Sequence, residues 1–254
     1  MIKGKFIIAS LAGAAALIST AQATVVDLGS NGSGSINGAL FEVGSIHPAG
    51  TGVFNPFLTI QNSPWEQGYN SGTGNFDTKR EPQWNHEIRF SQLQVTMINN
   101  TAYFGFAIDV NEPNGGNRAG ISLNGLSLWT SATTQNSTSV DANGFFNGSL
   151  GTLRYEIGGN SVLYDDQHHG SGESDINVFI PVSLFAGANA NDFVYMFQRW
   201  GNTDQTEGGF EETRLIAGIT PIPELNALFP IVGLMVAVGS THVLRRRKAA
   251  QVTE

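Results

Sequence analysis

The densest group of ionisable side chains in the chain is Asp165-Asp166-Gln167-His168-His169, where carboxylates beside imidazoles offer ligands for a divalent metal or an acid/base pair. In an extended chain, neighbouring side chains point to opposite faces, so only part of that run can meet at one ion. Gly170-Ser171-Gly172 follows directly, which reads as a solvated hairpin end. A second group, Asp109, Asn111 and Asn114, sets oxygen atoms along one turn, the ligand type that calcium takes. It departs from an EF-hand: Pro113 stands at the third ligand position, Asn114 where the loop needs glycine, and Gly120 where it needs glutamate. Asn, Gly and Pro are equally what a tight connection uses for its backbone angles. Calcium is thus the one cofactor the residues offer, and otherwise none is expected.

Aromatic side chains suggest a different chemistry, because ring faces stack on the C–H face of sugars. Trp65, Tyr69 and Trp84 lie in or beside an aperiodic stretch that also holds Asn70, Asn75, Gln83 and Asn85, whose amides can hydrogen-bond hydroxyls. Trp129 and Trp200 end apolar segments and are expected in the core. Glycoside hydrolysis needs two carboxylates held across a cleft, and Glu87, Glu156, Glu211 and Glu212 supply acids without a spacing that singles out a pair. No G-x-S-x-G, H-E-x-x-H, Walker or dinucleotide-binding glycine motif occurs. No catalytic residue is therefore named, and the chain is read as not an enzyme.

The elements that would position these residues are strands. From Tyr103 to Val110, Phe104, Phe106, Ile108 and Val110 fall on one face and Tyr103, Gly105, Ala107 and Asp109 on the other. Similar segments run over 39–43, 52–61, 87–96, 120–129, 152–157, 175–182, 192–199 and 211–217, with a short helical turn near 182–186. The expected fold is all-β: an antiparallel β-sandwich, jelly-roll-like, with a barrel as the alternative. Residues 63–82, with two prolines and several glycines, read as a long surface loop.

Charge and the two ends narrow the setting. The chain carries 13 basic and 21 acidic residues, a net charge of −8, and no cysteine. The absence of cysteine excludes disulfide scaffolds and thiolate chemistry, and the acidic field excludes nucleic acid as a partner. Lys3 and Lys5 precede an apolar run from Phe6 to Ile18, and Ala21-Gln22-Ala23 supplies the small residues that signal peptidase accepts, so 1–23 reads as a signal peptide. Residues 225–244 carry no formal charge and are long enough, as a single transmembrane helix, to cross a bilayer. Arg245, Arg246, Arg247 and Lys248 follow and stay cytoplasmic, leaving the body, 24–220, on the exported side. Both ends imply one topology.

Pro221-Ile222-Pro223-Glu224-Leu225, the apolar helix and the basic end at 245–248 together resemble the PEP-CTERM sorting signal. The resemblance marks Pro221, Pro223 and Glu224 as the sorting motif within a tail of 221–254. Leu225 stands where the family has a second motif proline. Within the body, Thr51 to Phe57, Glu66 to Asn70, Ile108 to Asn111, Ile121 to Asn124 and Gly208 to Glu212 resemble blocks of one group of these proteins, a group with no assigned activity. The resemblance implies exosortase as a processing partner and a final place at the cell surface or in a biofilm matrix. The expected function is an exported, non-catalytic surface or exopolysaccharide-matrix protein. The alternative is a carbohydrate-binding module or carbohydrate-active protein acting on extracellular polysaccharide.

Overall fold

A strand that buries one face needs apolar residues at every second position, and most of the elements follow that rule. The structure is a computed structural model that describes residues 23–44, 54–112, 120–165, 174–202 and 204–217. In chain order the strands are β1 (Val25–Asp27), β2 (Ser33–Ile36), β3 (Ala39–Val43), β4 (Leu58–Ile60), β5 (Glu66–Tyr69), β6 (Ile88–Arg89) and β7 (Val95–Ile98). They continue as β8 (Thr101–Asn111), β9 (Gly120–Ser131), β10 (Thr152–Glu156), β11 (Ser161–Asp165), β12 (Ile176–Pro181), β13 (Phe193–Trp200) and β14 (Phe210–Leu215). One helical turn, Leu28–Asn31, joins β1 to β2, capped by Asp27, whose Oδ1 accepts from the Ser30 N–H at 3.0 Å.

Two sheets result. The first runs β1-β11-β9-β13-β5, with β10 also on β9 and β6 on β13; the second runs β2-β3-β12-β8-β14-β4, with β7 on β8. Every described pairing is antiparallel except β1 with β11. Phe104, Phe106, Ile108 and Val110 of β8 share one core with Ile121, Leu123, Leu126 and Leu128 of β9 and with Val194, Met196 and Trp200 of β13. The sheets therefore pack face to face in a sandwich-like, all-β arrangement. Each large apolar side chain fully buried there contributes about 2 kcal/mol.

Two irregularities break the regular pairing. The inward residues of β9 switch from odd positions, 121 and 123, to even ones, 126 and 128. A bulge opposite Arg199 and Trp200 absorbs the extra residue and leaves Asn124 beside the sheet's outer face. The segment expected as one strand over 87–96 instead splits at a 3-10 turn, Phe90–Gln92, so that β6 joins the first sheet and β7 the second. Phe90, Phe104 and Phe185 plug that crossing, with ring centroids 5.1 to 5.8 Å apart.

The reading of 63–82 as a surface loop is corrected. It contains β5, whose four residues are all buried, and Asn70, Ser71, Asn75 and Thr78 beyond it are buried too. Polar side chains hold this segment in place of apolar alternation. Residues 1–22 of the expected signal peptide and the whole expected tail, 221–254, lie outside the described residues. No helix among the described residues is long and apolar enough to cross a membrane.

Candidate functional site

Strand β13 is apolar on both faces: Val194 and Met196 point into the core while Phe193, Tyr195 and Phe197 point out. With Tyr69 and Trp129 they form an aromatic row that needs a cover, and the segment 132–151 supplies it. Leu150 and Phe146 pack on the row. The cover is pinned by polar bonds: the Tyr69 hydroxyl donates to the Ser137 carbonyl at 2.9 Å, and the Gln135 N–H donates to the Tyr195 hydroxyl at 2.9 Å. Gln67 clamps the far end, its Nε2 donating to the Gly144 carbonyl at 2.8 Å and its Oε1 accepting from the Phe146 N–H at 2.9 Å.

The cover stops short of the sheet's edge, and a groove of about 300 Å³ opens there. Its floor is Ser127 and Trp129 of β9 with Phe197 and Arg199 of β13; one wall is 146–148 of the cover and the other Glu156 at the end of β10 with 157–158 of the turn that follows. Trp129 is half-buried, and its indole N–H donates to Ser127 Oγ at 2.8 Å, which fixes the ring against the floor. Arg199 lies with its guanidinium 4.2 Å from the centre of the Phe145 ring and donates to the Asn124 carbonyl at 3.1 Å. Burial lowers its pKa from the usual arginine value, partly offset by Asp141, and the group stays charged. Its Nε is buried with no partner. Asn147 and Glu156 are exposed on the two walls. The groove thus combines aromatic floor, cationic donor, amide and one carboxylate.

The residues singled out from the sequence fare differently. Trp200 is fully buried in the core as expected, whereas Trp129, expected beside it, lines the groove. The bulge in β9 explains the difference, since it turns the odd-numbered residues beyond it outward. Tyr69 is buried beneath Phe146 with its hydroxyl already bonded, so it presents no face to a ligand. Trp65 is half-buried, edge-on to Phe145 at 5.5 Å, and acts as a brace for the cover. Trp84 is 38% exposed and belongs to neither groove wall.

Asp109 is buried in β8 and accepts from Asn111 Nδ2 at 3.0 Å; Asn114 lies outside the described residues, as do 166–169 of the Asp/His run. Among the described residues no group of three or more His, Asp or Glu side chains is placed so that it could hold a metal ion. Sequence reasoning missed the groove's Arg199, Phe146 and Asn147. The signal for it was the double-faced apolar pattern of 193–197 together with Phe145-Phe146 in an otherwise Gly/Asn/Ser-rich stretch. No protein-family model, no curated protein and no solved structure matches the chain.

Proposed function

We propose that this is an exported, non-catalytic cell-surface or matrix protein, and that its groove binds extracellular polysaccharide. The observation that carries the binding reading is the pairing of Trp129, Phe146 and Phe197 with Arg199, Asn147 and Glu156 around one open groove. Ring faces take the C–H side of a pyranose, while planar amide, guanidinium and carboxylate groups take its hydroxyls. Glu156 is the one carboxylate on the groove lining, whereas hydrolysis of a glycoside uses two. Binding without cleavage is the simpler chemistry for that lining.

Export rests on the ends. Lys3, Lys5 and Ala21 to Ala23 direct the chain across the inner membrane, and 225–248 hold it there until exosortase acts at the Pro221 to Leu225 motif. A tag placed after Glu254 is expected to separate from the body in cells and to remain in the membrane fraction. Retention of both on one membrane-bound chain would favour a permanent anchor. For binding, the full-length protein on a glycan array is expected to retain acidic or neutral polysaccharides, with Trp129→Ala losing retention while still unfolding cooperatively at a somewhat lower melting temperature. Equal retention by that variant would exclude the groove as the binding site.

A further inference from the structure

In β14 the usual distribution of polarity is inverted. Phe210 is 40% exposed and Glu211 is fully buried. Register requires it: Glu211 pairs with Ile60 and Val110, both core residues, and so points between the sheets with them. Two more acids from separate segments reach the same place. Glu66 opens β5 on the opposite sheet and is fully buried, in register with the core residue Trp200, and Glu112, just past β8, is buried too. The Glu211 carboxyl is hydrogen-bonded to both. A bond between two carboxyls needs a proton on one of them.

The surroundings offer the trio no opposite charge. Glu66 Oε2 accepts from the Asn62 N–H at 2.7 Å, and Glu112 Oε2 accepts from the Glu207 N–H at 2.7 Å. Glu66 Oε1, Glu112 Oε1 and both Glu211 oxygens are buried and have no donor beyond the carboxyls themselves. Asp77 acts on Glu66 and Glu207 on Glu112, and the loop that carries Glu207 also carries Asp204. Lys79 is engaged elsewhere, donating to Gln61 Oε1 at 2.7 Å and lying 4.5 Å from the centre of the Phe210 ring. Arg199 of β13 and Arg214 of β14 stand on the outward faces of their strands, over Phe145 and Phe54. Asp109 and Glu212 pair on that outward face as well, and Asp175 accepts from the Val110 N–H and the Tyr164 hydroxyl. Shared protons are what keep the three acids together.

Strand β5 carries the state of this inner cluster to the outer surface. Its residues alternate between faces, so Glu66 faces the cluster while Gln67, in register with Arg199, faces the groove side. Gln67 clamps Gly144 and Phe146, and Trp65, on the other side of Glu66, braces Phe145. The groove wall at 146–148 therefore hangs on the two residues that flank Glu66. We infer that Glu66, Glu112 and Glu211 form a proton-operated latch between the two sheets, closed while they share protons and released when they ionise, and that it sets how firmly this groove wall is held. Burial raises all three above the ordinary carboxylate range, Glu66 to about 7, so the closed state is the one at lower pH and is lost as pH rises. The element that yields is β5, a four-residue strand at the edge of its sheet. The effect on ligand retention rests on the groove being the polysaccharide site; the effect on the wall does not.

Hydrogen exchange of the full-length protein, corrected for the intrinsic effect of pH on the rates, tests the latch without any ligand. Between about pH 5.5 and about pH 8.5 the amides of 144–148 are expected to lose protection by at least about tenfold. The opposite wall hangs on β9 instead, its Ile157 N–H donating to the Leu126 carbonyl, and should keep its protection within about twofold. Glu211→Gln, of equal shape and no charge, should hold the 144–148 amides protected at the higher pH. Glu112→Gln, nearer the surface and less able to disturb folding, should hold most of that protection. Unchanged protection in the parent, equal loss on both walls, or parent-like loss in both glutamine variants would overturn the latch. Polysaccharide retention left intact in Trp129→Ala would instead remove the groove reading, with the exchange result standing apart from it.

Discussion

Asn70 and Glu211 are equally inaccessible to water, yet they stand in opposite situations. Asn70 Nδ2 donates to the carbonyls of His86 and Val194 at 3.2 and 3.0 Å, and its Oδ1 accepts from the Met196 N–H at 2.7 Å. Around it Asn75 donates to the Tyr69 hydroxyl and to Ser71 Oγ, and Gln67 clamps the cover over the aromatic row. That network satisfies its polar groups inside the protein and holds the aromatic row beneath its cover. Glu211, with Glu66 and Glu112, keeps oxygens that the protein itself does not answer. A satisfied buried polar group stabilises a fold, while clustered buried carboxyls have to hold protons to stay there.

The sharpest way to break this comparison is to treat the two residues alike. Asn70→Ala strands three backbone groups in the interior and is expected to cost about 3 kcal/mol in urea denaturation. Glu211→Gln goes the other way: at pH 8 it is expected to stabilise the protein by about 2 kcal/mol, since it removes a buried like charge. A loss of stability of similar size in both would show that the Glu211 carboxyl is as well accommodated as the Asn70 amide.

The pH profile sharpens the same contrast. Burial pushes Glu66 up to about 7, and burial with neighbouring acids raises Glu211 well above, and Glu112 above, the ordinary carboxylate range. Groups raised in this way bind more protons folded than unfolded, so their stabilisation is complete below about 4.5 and is lost as pH rises through the folded value. The protein is therefore expected to melt highest near pH 5 and to weaken toward pH 8, with Asp77 and Glu207 adding to the repulsion. Glu211→Gln should flatten that slope, read by thermal melts.

Smaller effects belong to the groove. Trp129→Ala is expected to weaken polysaccharide retention about tenfold, or about 1.4 kcal/mol, read by affinity electrophoresis. Trp84→Ala, outside the groove, should change stability by less than about 0.5 kcal/mol and leave retention unaltered. A reversed order for the two tryptophans would move the binding surface to the segment around Trp84.

Strands with clean alternation were legible in the residues: 39–43 matches β3, 103–110 lies within β8, and 175–182 spans β12. β5 was not, because Glu66-Gln67-Gly68-Tyr69 has no apolar period and is held by side-chain amides reaching distant segments. Bulges were equally silent, so Trp129 read as a core residue until the register at Asn124 set its direction. The buried glutamates were hidden by the ordinary expectation that acids face water. One trace of them existed, the Phe210-Glu211 order, which becomes informative only once Glu211 is known to pair with Ile60 and Val110.

The amino-acid order by itself determined that the body is built of strands and that the chain is acidic and lacks thiol chemistry. Such properties depend on composition and on spacing along the chain, which are local. Tertiary structure alone decided which side of each strand faces the core, which tryptophan borders a groove, and that three acids separated by as much as 145 positions in sequence, Glu66, Glu112 and Glu211, share one dry site. Long-range pairing makes those decisions, because a shift of one residue in register exchanges inside for outside along a whole strand.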